Sequence, residues 1–213
     1  MANKQKCMII GAVPIKSAQI FKTFNPDDYF VICADAGYET ALKYHIRPDM
    51  IVGDFDSAKV RPPKELNVLT LPVKKDDTDT KYAAMRAITM GMNEVLLLCC
   101  LGGDRFDHSY ANLEVLQYIT SCNAMGIMAD ETTQITLLAG RKMRITESVG
   151  YTVSVFPFNG STCNVSYKGL EYPLTRKTLT CGGSLMGVSN SVLEDPAEIN
   201  VHSGTALIIL YKP

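Results

Sequence analysis

Asp49-Met50-Ile51-Val52-Gly53-Asp54-Phe55-Asp56-Ser57 is the stretch that decides the fold. Met50, Ile51 and Val52 predict a short buried strand that runs straight into a glycine and two aspartates, with apolar Phe55 between them. Two carboxylates therefore stand at a strand's carboxyl end, where open α/β sheets bind their ligands. Gly53 is expected to give the backbone the freedom that lets both converge. Hard anionic oxygens one residue apart suit a hard divalent cation such as Mg²⁺, whose shell substrate phosphates can complete.

Outward from this stretch, strands and helices alternate as far as about residue 130. Strands are predicted at Cys7–Val13, Tyr29–Ala34, Met50–Val52, Asn67–Leu71, Val95–Leu101 and Ala124–Ala129, and helices near 16–24, 37–45, 78–91 and 107–121. Repeated β-α-β order implies an α/β fold with a mostly parallel sheet flanked by helices. Tyr110, Leu113, Leu116 and Ile119 give the last helix its apolar stripe. From about residue 131 helical periodicity stops and alternation takes over, as in Val153 and Val155, or Cys163, Val165 and Tyr167, with turns such as Asn159-Gly160 and Ser203-Gly204 between the runs. A small antiparallel β-sandwich over 131–213 is expected, behind a catalytic α/β domain over 1–130.

Lys+Arg 21 against Asp+Glu 22 leaves a net charge of -1, which offers no basic field for nucleic acid and points to small-molecule partners. The longest apolar run, Val95 to Leu101, is too short to span a membrane, and the segment after Lys4 and Lys6 reads as a first strand because it lacks a convincing cleavage site. Cysteines 7, 33, 99, 100, 122, 163 and 181 form no C-x-x-C pair, so buried reduced thiols in a cytoplasmic protein are expected.

The carboxylates of the first domain gather just past strand ends: Asp35; Asp54 and Asp56; Asp76, Asp77 and Asp79; Asp104 and Asp107. In a parallel sheet these loops share one edge. Such a cluster repels itself unless cations enter it, and Lys74, Lys75, Lys81 and Arg105 interleave with it, able to neutralise acids or clamp phosphate oxygens. Taken singly, Asp76, Asp77 or Thr78 could cap the next helix, and Asp107 the one after. Neither a G-x-G-x-x-G nor a Walker loop is present, so metal and side chains would have to hold any nucleotide.

Ala34-Asp35-Ala36-Gly37, Arg47-Pro48-Asp49, Gly53-Asp54-Phe55-Asp56-Ser57, Lys75-Asp76-Asp77-Thr78-Asp79 and Arg105-Phe106-Asp107-His108 with Ala111-Asn112 follow the order and spacing of thiamine pyrophosphokinases, which the chain resembles over nearly its whole length. The resemblance implies transfer of the pyrophosphoryl unit of ATP to the hydroxyl of thiamine, giving thiamine diphosphate and AMP. It implies Mg²⁺ on Asp54, Asp56 and Asp79, catalytic roles for Asp56, Asp76, Asp79, Arg105 and Asp107, and nucleotide contacts from Asp35, Ser57, Lys75, Arg105 and His108. Asp79 or Asp56 would accept the hydroxyl proton. In the sandwich, Ser189 and Asn190 of Gly187-Val188-Ser189-Asn190 would contact thiamine. Tyr172 or Leu185 would take the place of a stacking Trp, which this chain lacks. The resemblance also implies a homodimer with each thiamine site shared between chains.

Two other enzymes would use similar parts. A 6-hydroxymethyl-dihydropterin pyrophosphokinase would keep the acidic core and change the sandwich. A D-x-D metal-dependent glycosyltransferase would leave the Asp76–Asp79 and Arg105–Asp107 loops without a role. A nucleotide sensor without turnover is a third, non-enzymatic class.

Overall fold

The computed structural model describes residues 5–55, 60–63, 65–185 and 187–213. Its contacts divide the chain into two units, Met1–Glu131 and Thr132–Pro213.

The first unit runs β1 (Lys6–Ile10), α1 (Gln19–Thr23), β2 (Phe30–Ala34), α2 (Gly37–Lys43), β3 (Met50–Gly53), β4 (Val68–Thr70), α3 (Asp79–Thr89), β5 (Glu94–Leu98), α4 (Phe106–Ser121) and β6 (Met125–Ala129). Its strands lie in the order β4-β3-β2-β1-β5-β6. All pairings within it are parallel, with Ile9 opposite Ile32 and Leu97, and Cys33 opposite Ile51. The central strands bury nearly every residue, as unbroken apolar runs such as Val95–Leu98 require when a parallel sheet is covered by helices. The chain winds outward from β1 through β2, β3 and β4, then returns to its other side at β5. This order creates a switch point at the carboxyl ends of β1 and β5. There the segment after β1 is tied to the end of β5 and the loop after it, by Gly11 N to Leu98 O at 2.8 Å and Val13 N to Cys99 O at 2.8 Å.

Several ends differ from the sequence expectation. The run Val95–Leu101 stops being strand at Leu98, because Cys99 turns into the left-handed region at φ 58°. Gly53 is not the residue that takes positive φ at the acidic turn; Phe55 does, at 57°. A Cβ on Gly53 would stand 3.2 Å from the Asp35 Cα, so this glycine serves close approach of two strand ends. In α4 the buried residues are Ser109, Asn112, Val115, Leu116 and Ile119, whereas Tyr110 of the expected stripe is 51% exposed. Of the seven free cysteines, five are buried and Cys122 and Cys181 are exposed.

The second unit is a β-sandwich, as its alternation predicts. It contains β7 (Thr133–Ala139), β8 (Lys142–Ile145), β9 (Thr152–Phe158), β10 (Thr162–Lys168), β11 (Leu174–Thr180), β12 (Asn190–Ser191), β13 (Ala197–Ser203) and β14 (Thr205–Tyr211). Strands β12-β9-β14-β7 make one antiparallel layer and β11-β10-β13-β8 the other. Every second residue of β10 and β13 is buried, as are Val153 and Val155 of β9, so these valines meet Val165, Tyr167, Ile199 and Val201 in one core.

Candidate active site

The parallel register carries three aspartates to the same edge of the first unit. Asp35 follows β2 and is held by its N–H to Val52 O at 2.8 Å, with φ 47°. Asp54 follows β3, and Asp79 opens α3. Thr78, not an aspartate, caps that helix: its hydroxyl accepts from Lys81 N at 3.2 Å, which leaves the Asp79 carboxylate free of capping duty.

Lys75 reaches into this group from the loop before α3. Its ammonium donates to Asp54 Oδ2 at 2.5 Å and lies 3.3 Å from Asp79 Oδ1. Burial disfavours the charged ammonium, but the pairs with Asp54 and Asp79 outweigh that and raise its pKa. For Asp79 burial wins: it raises the carboxyl pKa, Lys75 opposes, and the charges of Asp35 and Asp54 push the same way as burial. Asp35 Oδ1 is buried without a hydrogen-bond partner among the described residues. An orphaned carboxylate oxygen beside two more carboxylates is a donor set of the hard-oxygen kind that Mg²⁺ takes. Among the described residues no three such side chains close a metal shell by themselves. That is compatible with Mg²⁺, which binds through one or two carboxylates and completes its octahedron with water and phosphate oxygens. Asp56 and Ser57 lie outside the described residues.

The other residues singled out in the sequence are placed differently. Arg105 and Asp107 clasp one another at the start of α4, Nε to Oδ1 at 2.9 Å and a second guanidinium nitrogen to Oδ2 at 2.5 Å. This bidentate pair is exposed, and its hydrogen bonds hold Asp107 down at about 2. Asp76 and His108 are exposed. Behind Arg105, buried Ser109 and Asn112 fasten the loop after β5. The Ser109 hydroxyl accepts from Gly102 N at 3.0 Å and donates to Gly102 O at 3.1 Å, while Asn112 Nδ2 donates to Cys100 O at 2.8 Å. The role of Ser109 escaped the sequence reading. Its signal is two small polar residues three apart on a helix face that should be apolar.

In the sandwich, Ser189 is exposed at φ 55°, its N–H bonded to Ser154 Oγ at 3.0 Å. Asn190 is buried and doubly committed: Oδ1 accepts from Tyr172 N at 2.9 Å and Nδ2 donates to Tyr172 O at 2.9 Å. Tyr172 and Leu185 both line a cavity of about 170 Å³ that Gly187, Val188 and Asn190 also border.

Residues 21–128, just over half of the chain, match the family Thiamin pyrophosphokinase, catalytic domain. The chain belongs to the thiamin pyrophosphokinase family. Residues 142–206 match that family's vitamin B1 binding domain. The chain is thus an enzyme, a thiamine diphosphokinase. Among solved structures, its fold is similar to that of thiamine pyrophosphokinase from Bacillus subtilis, with TM-score 0.84, 22% identity, and 97% and 99% of the two chains covered. The thiamin pyrophosphokinase of Geobacillus thermodenitrificans gives TM-score 0.83 at 23% identity over 98% of each chain. That of Candida albicans gives 0.79 at 16% identity, over 98% of this chain and 89% of its own. No curated protein matches the chain in sequence.

Proposed function

We propose that this pyrophosphokinase works on its acidic edge with Mg²⁺ and ATP, and that the sandwich supplies the recognition of thiamine. The observation that carries this is the Lys75 ammonium lodged between Asp54 and Asp79 beside an orphaned Asp35 oxygen. A site that gathers like charges against burial needs cations, and it holds one already. Asp54, Asp79 and Asp56 would hold the metal. When bound, Mg²⁺ supplies neutralisation of phosphate charge and polarisation of the phosphorus under attack.

The chain's own groups then do positional and electrostatic work. Lys75 sits where it can exchange its carboxylate contacts for phosphate oxygens. Arg105, pre-oriented by Asp107, presents a planar fork matched to phosphate. Asp79 or Asp56 would accept the hydroxyl proton of thiamine. The thiamine oxygen attacks the β-phosphorus, the bond from that phosphorus to the oxygen of the α-phosphate breaks, AMP leaves, and the hydroxyl proton passes to the carboxylate.

Three further properties complete the proposal. The enzyme is a homodimer whose thiamine sites are shared between chains, as its family resemblance suggests. Exposed Cys122 and Cys181 are free thiols, which favours a reducing, cytoplasmic setting. No helix among the described residues is long and apolar enough to cross a membrane. The match of 142–206 to a vitamin B1 binding domain disfavours a pterin or a nucleotide sugar as substrate. Incubation with ATP, Mg²⁺ and thiamine should give AMP and thiamine diphosphate in equal amounts. ADP in their place would overturn the proposal, and so would full turnover with the divalent ion chelated.

A further inference from the structure

The Arg47-Pro48-Asp49 motif takes no part at the acidic edge, because it lies at the opposite one. Asp49 directly precedes β3, and in a parallel sheet the amino ends of the strands face away from the carboxyl ends that carry Asp35 and Asp54. There the link from α1 to β2 and the link from α2 to β3 border an open cavity of about 460 Å³, a volume within the range of small-molecule pockets. One of its walls is fixed to the sheet through Asp49. Its Oδ2 accepts from Val31 N at 2.8 Å and its own N–H donates to Val31 O at 2.9 Å.

Two kinds of group line the rest. Phe21 and Tyr44 supply an aromatic wall, their ring centroids 5.5 Å apart and their planes tilted by 53°, and both are only half-buried, so ring surface remains for a third ring. Arg47 and Asp27 supply charges of opposite sign, and neither joins an ion pair among the described residues. A guanidinium fork and a carboxylate that border one hollow without pairing are both open to a ligand. Asp27 is steadied by its N–H, which donates to Asn25 Oδ1 at 3.2 Å, and His45, which turns the second link at φ 56°, adds an imidazole to the lining. A ligand of single charge would satisfy one of the two charged groups and confront the other with its own sign.

We propose that this cavity binds a small aromatic zwitterion, a planar ring on a short chain that bears one carboxylate and one ammonium, as an aromatic α-amino acid does. The ring packs on Phe21 and Tyr44, the carboxylate takes the Arg47 fork, and the ammonium meets Asp27. The site belongs wholly to the amino edge of the first unit and stands whatever reaction the acidic edge serves.

The test uses the full chain at neutral pH with three probes that share a phenyl ring and a short chain: phenylalanine, phenylpropionate, which lacks the ammonium, and phenylethylamine, which lacks the carboxylate. Binding is followed through the backbone amide resonances of Val31 and Ile46. Phenylalanine should shift both saturably and bind about fivefold more tightly than either singly charged probe, the worth of one partly exposed ion pair. Arg47→Gln should erase the preference for phenylalanine over phenylethylamine and keep that over phenylpropionate, and Asp27→Asn should do the reverse. Equal affinities for the three probes in wild type, an unchanged pattern of ratios in either variant, or no saturable shift at Val31 and Ile46 overturns the proposal. Both side chains are exposed, so the variants should melt with wild type. Should Arg47→Gln fail to fold, the ratios in Asp27→Asn decide by themselves.

Discussion

Lys75 and Asp79 are four residues apart, and their charged atoms meet across the start of α3 at 3.3 Å, with the ammonium simultaneously on Asp54. The pair does not make Asp79 an ordinary ion-paired acid, because burial and its acidic neighbours raise its pKa. The sign follows directly. Below the unfolded value, about 3.9, the carboxyl is protonated in both states and costs nothing. As pH rises through the higher folded value, the fold must hold a disfavoured charge and loses stability. Asp79→Asn should therefore melt above wild type at pH 7 to 8, with the gap closing below about pH 4. Turnover should drop about 100-fold or more. Mg²⁺ should raise the melting temperature of wild type more than that of the variant, since it binds only the folded site. Thermal melts across pH, with and without Mg²⁺, check all three.

Thr78 separates helix capping from metal binding. Thr78→Ala removes the acceptor for Lys81 N and should cost about 1 kcal/mol, read by urea denaturation. Because α3 begins at Asp79, fraying there also displaces the carboxylate, so turnover should fall in step. Thr78→Asn, another good cap, should restore both.

Ser189 and Asn190 are adjacent in the proposed thiamine contact but should respond in opposite ways. Asn190→Ala strands the Tyr172 N–H and carbonyl and should destabilise the fold by about 1–3 kcal/mol. Ser189→Ala touches an exposed side chain and should leave the melting temperature unchanged while raising KM for thiamine. Melting curves and thiamine titrations on the two variants give the contrast.

Shared sites predict rescue between chains. Asp79→Asn disables the acidic edge, and Ser189→Lys sets a cation against the cationic thiazolium. Each alone should be nearly inactive. Unfolded and refolded together, about half of the dimers should be mixed, and each mixed dimer should hold one intact site, giving about a quarter of wild-type activity. Mixed dimers that are isolated and found inactive would show that each site is built within one chain.

How much of this could be read from residues alone depends on whether the relevant force was local. The β3 turn was legible because an apolar run ending in Gly53-Asp54 is a local pattern, and so was the alternation of Cys163, Val165 and Tyr167. The buried face of α4 was misread because Ser109 and Asn112 lie inside to bond a loop, which apolarity alone assigns to Tyr110. Gly53 and Phe55 exchanged roles for a similar reason: the need for space beside Asp35 comes from a neighbouring strand. Among the acids, Asp35, Asp54 and Asp79 meet through sheet register, whereas Asp107 is claimed by Arg105 only two residues away. Asn190 shows the same limit, since its partner Tyr172 is eighteen residues distant and invisible to a motif.

The bonding of the Ser109 hydroxyl to both the N–H and the carbonyl of Gly102 has a thermodynamic consequence for the proposed nucleotide site. With its N–H and carbonyl already engaged, Gly102 cannot wrap a phosphate as a glycine-rich loop does, and its conformational freedom is surrendered when the chain folds. Association at this edge should then draw its heat from side-chain charge and carry little ordering penalty from the loop. Swapping Ser109 for alanine would return that disorder to the unliganded enzyme, making each binding event more exothermic and no tighter.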